Sequence, residues 1–388
     1  MPIVNRFADF QADTAAWRQD IHRHPELMYD VHRTAATVAE KLRAFGVDEV
    51  TTGIGRTGVV GVIRGRKNGS GKTIGLRADM DALPLTEITG KPYASETPGK
   101  MHACGHDGHT AMLLGAARYL AETRNFDGTA IVIFQPAEEG GGGGKAMVED
   151  GLMDRWGIQQ VYGMHNMPGL PVGKFATRVG PLLASTDEFT IDITGRGGHA
   201  AKPHGTVDPI IVGAAIVQQL QTIVSRNVDP VESVVVSVTK FHAGDAHNII
   251  AQTAQVAGTV RTLKPETRDL AERRIKGIVA GIASAHGATA VVDYDRNYPV
   301  TRNHAAETAF AAKVAGDVAG TVHVDAEAPP MLGGEDFSYM LEARPGAFIF
   351  IGNGDSAGLH NPAYDFNDEI IPLGCSYWAR LVETAMPA

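Results

Sequence analysis

The chain has 388 residues, of which 44% are hydrophobic and 20% charged, as in globular proteins with sizeable cores. A net charge of −9 argues against nucleic acid as a partner, because phosphate binding needs a concentrated basic surface. Apolar runs are too short for a transmembrane helix, and two cysteines are too few for a disulfide scaffold. Residues 1–10 lack the basic start and apolar core of a signal peptide, so we expect a cytoplasmic protein without a membrane partner.

Predicted helices and strands alternate over the first 184 residues. Apolar residues at helical spacing predict helices, and short, wholly apolar runs predict strands. The helices are expected at 34–45 and 111–121, and the strands at 58–63, 73–78, 129–134 and 160–164. Helices that alternate with wholly apolar strands indicate a mainly parallel sheet covered by helices on both faces.

A different pattern begins near Thr186, with strands that alternate apolar and polar residues. Four strands and two helices follow in the order strand–helix–strand–strand–helix–strand. The strands are expected at 188–194, 233–241, 253–263 and 289–295, one helix at 208–224, and a second helix that begins at Pro265. This is the order of a ferredoxin-like unit. Beyond Tyr298 the first pattern resumes, with a helix at 308–318, a strand at 347–351 and a helix at 374–384.

The two patterns predict two domains. The larger is an α/β domain formed by residues 1–184 and 299–388 around a mainly parallel central sheet. The smaller is an inserted ferredoxin-like α+β domain at 185–298, with a free sheet face and unpaired edge strands that suit a lid or dimerisation domain.

Residues that bind metals or act as bases follow the predicted strands, where ligands of open α/β sheets bind. These groups are Asp79-Met80-Asp81, Gln135 to Glu139, His165-Asn166, and Leu359-His360-Asn361 after a glycine loop. The segment from His102 to His109 precedes a helix expected to begin near Thr110. Taken singly, His165 is most simply a structural histidine, Cys104 a core residue, and Glu138-Glu139 a solvated pair. Together with the nearby histidines, they favour a metal site.

The number of donors predicts two metal ions rather than one. Five donors are available: Cys104, His106, Glu139, His165 and His360. A single catalytic zinc typically takes about three protein ligands, whereas five donors and a bridging water fit two ions ~3.5–4 Å apart. Glu138 then remains as the general base. Asp81 is expected to orient a ligand histidine or to set the charge of the site.

Many ordered motifs along the chain resemble one family. They are His24-Pro25-Glu26-Leu27, Arg77 to Pro84, Met101 to His109, Gln135 to Gly140, Gly163 to Asn166, Gly195 to Ala200, Asn248-Ile249-Ile250, Gly258 to Arg261, Gly333 to Phe337, and Leu359-His360-Asn361. Nearly end to end, the chain resembles the co-catalytic metallopeptidase family of aminoacylases and carboxypeptidases. It is most similar to the branch with hippurate hydrolase and plant auxin–amino-acid conjugate hydrolases.

The resemblance implies the same five metal ligands and Glu138 as the base. Many relatives outside this branch carry His at the position of Asp79 and Asp at that of Cys104, which leaves the metal open among manganese, zinc, cobalt and nickel. His199 resembles a histidine that reaches the active site of a partner subunit. Asn248 and Arg261 resemble residues that help to hold the substrate carboxylate. His24-Pro25-Glu26 is interpreted as a structural helix boundary.

We therefore expect a metal-dependent amidohydrolase that cleaves the amide bond of N-acyl amino acids such as hippurate. A bridging hydroxide would attack the carbonyl, Glu138 would pass its proton to the leaving amine, and His199 would help the metals to stabilise the oxyanion. The alternatives are a dipeptidase, or a deacetylase of N-acetyl amino acids or N-acetyldiaminopimelate. A catalytically silent metal-binding protein is disfavoured because it would need no base beside Glu139. The expected assembly is a homodimer or a dimer-based oligomer.

Overall fold

The computed structural model describes residues 4–388. Residues 1–3 lie outside the described residues. They belong to the segment 1–10, which we expect not to be a signal peptide. The chain divides into two compact units. The first unit comprises Met1–Leu182, Thr301–Pro329 and Asp336–Ala388, and the second comprises Leu183–Val300 and Pro330–Glu335. No helix in the described part of the chain is both long and apolar enough to cross a membrane.

The helices and strands are numbered here in chain order. The α-helices of residues 4–388 are α1 (Arg6–Asp9), α2 (Gln11–Arg23), α3 (His32–Ala44), α4 (His106–Thr123), α5 (Gly143–Glu149), α6 (Leu152–Arg155), α7 (Pro209–Thr222), α8 (Pro265–His286), α9 (Ala305–Ala319), α10 (Ser338–Ala343) and α11 (Ile371–Ala385). The strands are β1 (Glu49–Ile54), β2 (Gly58–Arg64), β3 (Thr73–Asp79), β4 (Thr129–Gln135), β5 (Gln160–Pro168), β6 (Phe175–Ala176), β7 (Gly180–Leu183), β8 (Ser185–Thr194), β9 (Gly198–His199), β10 (Val234–Ala243), β11 (Ile249–Ile250), β12 (Thr253–Thr262), β13 (Thr289–Arg296), β14 (Thr301–Asn303), β15 (Val324–Asp325) and β16 (Gly346–Gly354).

An eight-stranded sheet forms the centre of the first unit, in the order β1-β2-β4-β3-β5-β16-β6-β15. Its middle strands β4, β3, β5 and β16 pair in parallel. They are buried along nearly their whole length because helices cover them, and α4 packs against both β3 and α11. This confirms the prediction of an α/β domain with a mainly parallel central sheet.

The second unit has the predicted strand–helix–strand–strand–helix–strand order, from β8 to β13. Its four strands form an antiparallel sheet, β10-β12-β8-β13, and alternate buried and exposed side chains as half-buried strands do. The two ends of the unit lie side by side. The N–H of Thr186 donates to the carbonyl of Tyr298 over 2.9 Å, and the N–H of Asn297 donates to the carbonyl of Thr186 over 3.1 Å.

Two element boundaries differ from the prediction, and both differences move site residues into regular structure. Helix α4 begins at His106 rather than near Thr110, directly after Gly105 in a left-handed conformation with φ 91°. Gly108 disfavours a helix locally, but the ring of Phe366 fills the space beside it, so packing overrides propensity. Strand β5 continues to Pro168 because its pairing with β16 continues, which places His165 within the strand.

Candidate metal centre

The parallel strands bring the predicted donors together at one edge of the central sheet. Asp79 ends β3, the Glu138-Glu139 pair follows β4, and His165 lies near the carboxyl end of β5. His106 opens α4, and the His360 N–H donates to the carbonyl of Ala103 over 2.8 Å. All of these residues belong to the first unit.

Two groups of possible ligand atoms share Cys104. In the first group are Cys104, His106 and His165, and in the second are Cys104, Glu139 and His360; within each group the ligand atoms lie within 4.8 Å of one another. The sulfur of Cys104 is 3.4 Å from Nε2 of His165, and Nε2 of His360 is 3.2 Å from Oε1 of Glu139. These overlapping groups are compatible with two metal ions.

The hydrogen bonds of His165 leave one ring nitrogen for a metal. Nδ1 lies 2.6 Å from the carbonyl oxygen of Asn166 and must donate to it, so Nε2 carries a lone pair. Burial and the neighbouring His109 lower the pKa of His165 well below its usual value, which keeps the ring neutral. The amide of Asn166 donates to the Cys104 carbonyl over 2.6 Å and accepts from the Tyr364 hydroxyl over 2.7 Å. Asn166 therefore ties His165 to the Cys104 segment.

The ring of His106 is surrounded by carboxylates. The side chain is fully buried, and neither ring nitrogen has a hydrogen-bond partner among residues 4–388. Its Nε2 lies 3.7 Å from Asp79, 3.9 Å from Glu138 and 4.0 Å from Glu139. Burial opposes protonation, but the carboxylates of Asp79, Asp81 and Glu139 raise the pKa of His106 to about 10. A buried ring whose nitrogens have no hydrogen-bond partner, and which faces three carboxylates, suits a divalent cation, and the donors fit it.

Neighbouring charges also shift the pKa values of Cys104 and Glu139, two donors of the second group. Burial and the carboxylates of Glu139 and Glu138 raise the pKa of the Cys104 thiol well above its ordinary value, so a thiolate there needs a bound cation. Burial would raise the pKa of Glu139, but His360 and His106 lower it, so this carboxylate is ionised. The arrangement gives an anionic centre open to solvent at His360, whose side chain is 56% exposed.

His109 and Asp79 also stand close to His106, but their atoms are engaged. Nδ1 of His109 donates to Asp79 over 2.7 Å, and Nε2 accepts the backbone N–H of Asn166 over 2.9 Å. Both ring nitrogens are therefore used, which excludes His109 as a ligand in this arrangement. The other Asp79 oxygen accepts from the buried guanidinium of Arg77 over 2.7 Å.

Asp81 contacts the main chain of the Glu138-Glu139 pair. One carboxylate oxygen accepts the N–H of Glu138 over 2.9 Å, and the other accepts the N–H of Glu139 over 3.1 Å. Oδ1 of Asp81 also lies 3.5 Å from Nδ1 of His106. The residue thus contacts both the predicted base and a predicted ligand, and within residues 4–388 it belongs to none of the groups of possible ligand atoms.

The remaining predicted residues lie in the second unit. His199 is on β9 and Asn248 directly precedes β11; the two strands pair, and the N–H of Ala200 donates to the Asn248 carbonyl over 3.0 Å. Both side chains are exposed, whereas Arg261 is half-buried on β12, in a different sheet. The structure therefore brings His199 and Asn248 together. The roles predicted for these residues stay predictions.

Sequence reasoning assigned no role to Arg77, and the resemblance implied for Asp336 only a loop near the substrate pocket. The Arg77 guanidinium donates to Gln135 and Asp79, and lies 3.1 Å from Asp336. Asp336 also accepts the Gln135 amide and the Gly144 N–H, each over 2.7 Å. A signal was present, because a lone arginine inside an otherwise apolar predicted strand is buried and needs a charged partner.

Comparisons with known proteins agree with this geometry. The sequence profile of peptidase family M20/M25/M40 matches residues 75–384. Hippurate hydrolase of Campylobacter jejuni is 45% identical over 381 residues, 98% of each chain. The solved structure of a methicillin-resistant Staphylococcus aureus protein superposes with a TM-score of 0.92, at 34% identity over 99% of each chain. A Bacillus subtilis protein described as a dinuclear metal-binding peptidase of family M20 gives a TM-score of 0.85, at 34% identity over 98% of this chain and 99% of that one. The chain belongs to peptidase family M20/M25/M40 and is a metal-dependent hydrolase of amide bonds.

Proposed function

We propose that this protein hydrolyses the amide bond of small N-acyl amino acids of the hippurate type. One observation carries the proposal. Two adjacent glutamates follow the same buried strand: Glu139 faces His360, while Glu138 lies 3.9 Å from His106. This arrangement supports Glu139 as a metal ligand and Glu138 as the base beside it.

The residues that would hold two divalent ions are Cys104, His106, Glu139, His165 and His360. Manganese, zinc, cobalt and nickel all accept this mixture of thiolate, imidazole and carboxylate. When bound, such ions activate water and polarise the substrate carbonyl.

Glu138 would move the proton of the reaction. Its carboxylate is nearly buried, and its main chain is fixed by Asp81, so it meets the reacting water in one orientation. The proton that it accepts would pass to the nitrogen of the leaving amine. Asp81 contributes by holding Glu138 and Glu139 rather than by contacting the substrate.

His199, Asn248 and Arg261 would bind the substrate. The N–H of Ala201 lies 3.1 Å from Nδ1 of His199 and donates to it, so the ring proton sits on Nε2 and is available to a developing oxyanion. Burial lowers the pKa of Arg261, but a guanidinium stays charged and suits a carboxylate. We further propose that the protein is a homodimer in which His199 completes the active site of the partner.

The test is a substrate panel on metal-free enzyme reloaded separately with manganese, zinc, cobalt or nickel. The panel contains N-benzoylglycine, N-acetyl amino acids including N-acetyldiaminopimelate, and unblocked dipeptides. We expect N-benzoylglycine or another N-acyl amino acid to be cleaved fastest with at least one metal. Faster cleavage of unblocked dipeptides would identify a dipeptidase, and no cleavage with any metal would support a silent metal-binding protein.

A further inference from the structure

The His24-Pro25-Glu26 motif does form the predicted helix boundary, and the chain beyond it contacts the metal centre. His24 directly follows α2, and the Glu26 carboxylate accepts the N–H groups of Arg33 and Thr34 at the start of α3, over 2.9 and 2.8 Å. This cap accounts for Glu26. It does not account for residues 27–29, which lie between α2 and α3.

Residues 26–29 bind both turns that carry the acidic residues of the site. The Glu26 carbonyl accepts the N–H of Ala82, next to Asp81, over 2.8 Å. The Met28 carbonyl accepts the N–H of Ala137, next to Glu138, over 3.0 Å. Met28 and Ala137 both have a φ of 54°, a left-handed conformation that costs energy in residues other than glycine. Strained backbone on both sides of one hydrogen bond indicates that the position of this bond matters.

The loop held in this way has two internal hydrogen bonds, from the Gly140 N–H to the Glu138 carbonyl over 2.7 Å and from the Gly143 N–H to the Ala137 carbonyl over 3.0 Å, but few side chains that could pack within it. We call residues 137–143 the glutamate loop, since it contains Glu138, Glu139 and then four glycines. Glycines have no side chains to pack and a wide choice of conformations, so the loop depends on contacts from outside. It is also folded tightly: a Cβ at Gly141 would lie 2.6 Å from the Cβ of Ala137.

Tyr29 provides such a contact at the glycine end of the loop. Its hydroxyl donates to the Gly141 carbonyl over 2.8 Å. The ring is itself fixed, because the Arg56 guanidinium lies 4.0 Å from its centroid and the Thr57 hydroxyl donates to the Tyr29 carbonyl over 2.9 Å. The hydroxyl therefore reaches the loop from a rigid support.

We propose that Tyr29 is a positioning residue for amide hydrolysis, whose hydroxyl holds the glutamate loop so that Glu138 and Glu139 face the metal centre. The proposal rests on the proposed function for its catalytic part. Its metal-binding part does not, because a loosened loop would also release Glu139 from a bound ion. Tyr29 acts through the loop and touches neither the substrate nor a ligand atom.

The test compares Tyr29→Phe with Tyr119→Phe. Tyr119 is a matched control, since it is also half-buried and donates one hydrogen bond, to Glu383 over 3.1 Å, on the distant end of α4. Measurements are kcat, KM, the rate at which a chelator removes the metals, and the melting temperature. We expect Tyr29→Phe to lower kcat and to speed metal loss, each about 3- to 10-fold, as removal of one hydrogen bond allows. KM should stay within about two-fold, and the melting temperature should match that of Tyr119→Phe.

Two results would overturn the proposal. In one, Tyr29→Phe matches Tyr119→Phe in kcat and in metal loss. In the other, both quantities change only alongside a fall in melting temperature that Tyr119→Phe does not show, which would make the contact a general structural one. The metal-loss rate needs no substrate. If the wild-type protein cleaved no N-acyl amino acid, the proposed function would fail, but this rate would still decide the role of Tyr29.

Discussion

The backbone N–H of Glu138 donates to Oδ1 of Asp81 over 2.9 Å. Asp81 therefore sets the position of Glu138 through the main chain, and the hydrogen bond does not involve the Glu138 carboxylate. Chemistry at that carboxylate can be removed without breaking this hydrogen bond. This separation makes the role of the base open to a clean test.

Replacing Glu138 with Gln should abolish proton transfer and preserve metal binding. The amide cannot accept the proton, so kcat should fall by about 10²-fold or more, while the Asp81 contact and all five predicted ligands remain. Metal analysis and steady-state kinetics are made on one preparation. Glu122→Gln, on the exposed side of α4, is the control. Wild-type turnover in Glu138→Gln would show that Glu138 is not the base.

Bound metal should protect Cys104 from alkylation. Burial raises the pKa of the thiols of both Cys104 and Cys375, but only Cys104 belongs to the candidate metal groups. Removal of the metals should let iodoacetamide reach Cys104, next to the exposed His360, while Cys375, buried in α11, stays unmodified in both forms. Peptide mass spectrometry of the holo and apo proteins measures the difference. Equal labelling of Cys104 in the two forms would remove it from the set of ligands.

If His199 serves the partner subunit, two inactive variants should complement each other. His199→Ala and Glu138→Gln are unfolded and refolded together, so that mixed dimers form. One site of each mixed dimer would combine intact His199 with intact Glu138, and activity should return to about a quarter of the wild-type value for random pairing, because half of the dimers are mixed and each has one complete site. Mixed dimers, verified by differently sized tags, that stay as inactive as either parent would contradict the trans arrangement.

A buried histidine outside the metal centre should make stability depend on pH. Burial would lower the pKa of His22, but Asp107, 2.9 Å from Nδ1, and Glu87, 3.3 Å from Nε2, raise it to about 9. The unfolded value is about 6.5, so protonated His22 stabilises the folded state fully below pH ~6.5, and this contribution is lost as the pH rises through about 9.

The check is the difference in unfolding free energy between the wild type and His22→Gln, measured by urea titration. Taking the difference cancels titrations that both proteins share. It should shrink by about 3 kcal/mol between pH ~6 and pH ~10, since each pKa unit corresponds to about 1.4 kcal/mol. A difference that stays constant over this range would contradict the raised pKa.

The sequence predicted those parts of the fold that depend on burial. The strand at 129–134 was recognisable because a strand covered on both faces is wholly apolar, and β4 extends only one residue further. The start of α4 was missed because Gly108 and three nearby histidines do not favour a helix, and the stabilising contact comes from Phe366, far along the chain. Local pattern carries no information about such a partner.

The candidate site likewise has parts that the sequence predicts and parts that it does not. The metal ligands can be predicted from their residue types, since thiolate, imidazole and carboxylate side chains at strand ends favour metal wherever they occur together. The contacts that support these ligands cannot be predicted in this way, because Tyr29 or Asn166 could form hydrogen bonds with many different partners in a folded chain. Only the three-dimensional pairing of β5 with its neighbours assigns Asn166 to Cys104, and only the path of residues 26–29 assigns Tyr29 to Gly141.

The adjacent ends of the second unit affect the order in which the protein can fold. Parallel pairing of β5 with β16 joins distant parts of the chain. If the whole chain between these two strands were unstructured, the pairing would be slow, because closing a long loop costs entropy. Once β8 and β13 have paired, Thr186 and Tyr298 are held together, and the intervening chain closes the gap as a short turn would. Early folding of the insertion therefore accelerates formation of the sheet to which His165 belongs. Circular permutation within the second unit would remove this shortcut and delay metal uptake during refolding.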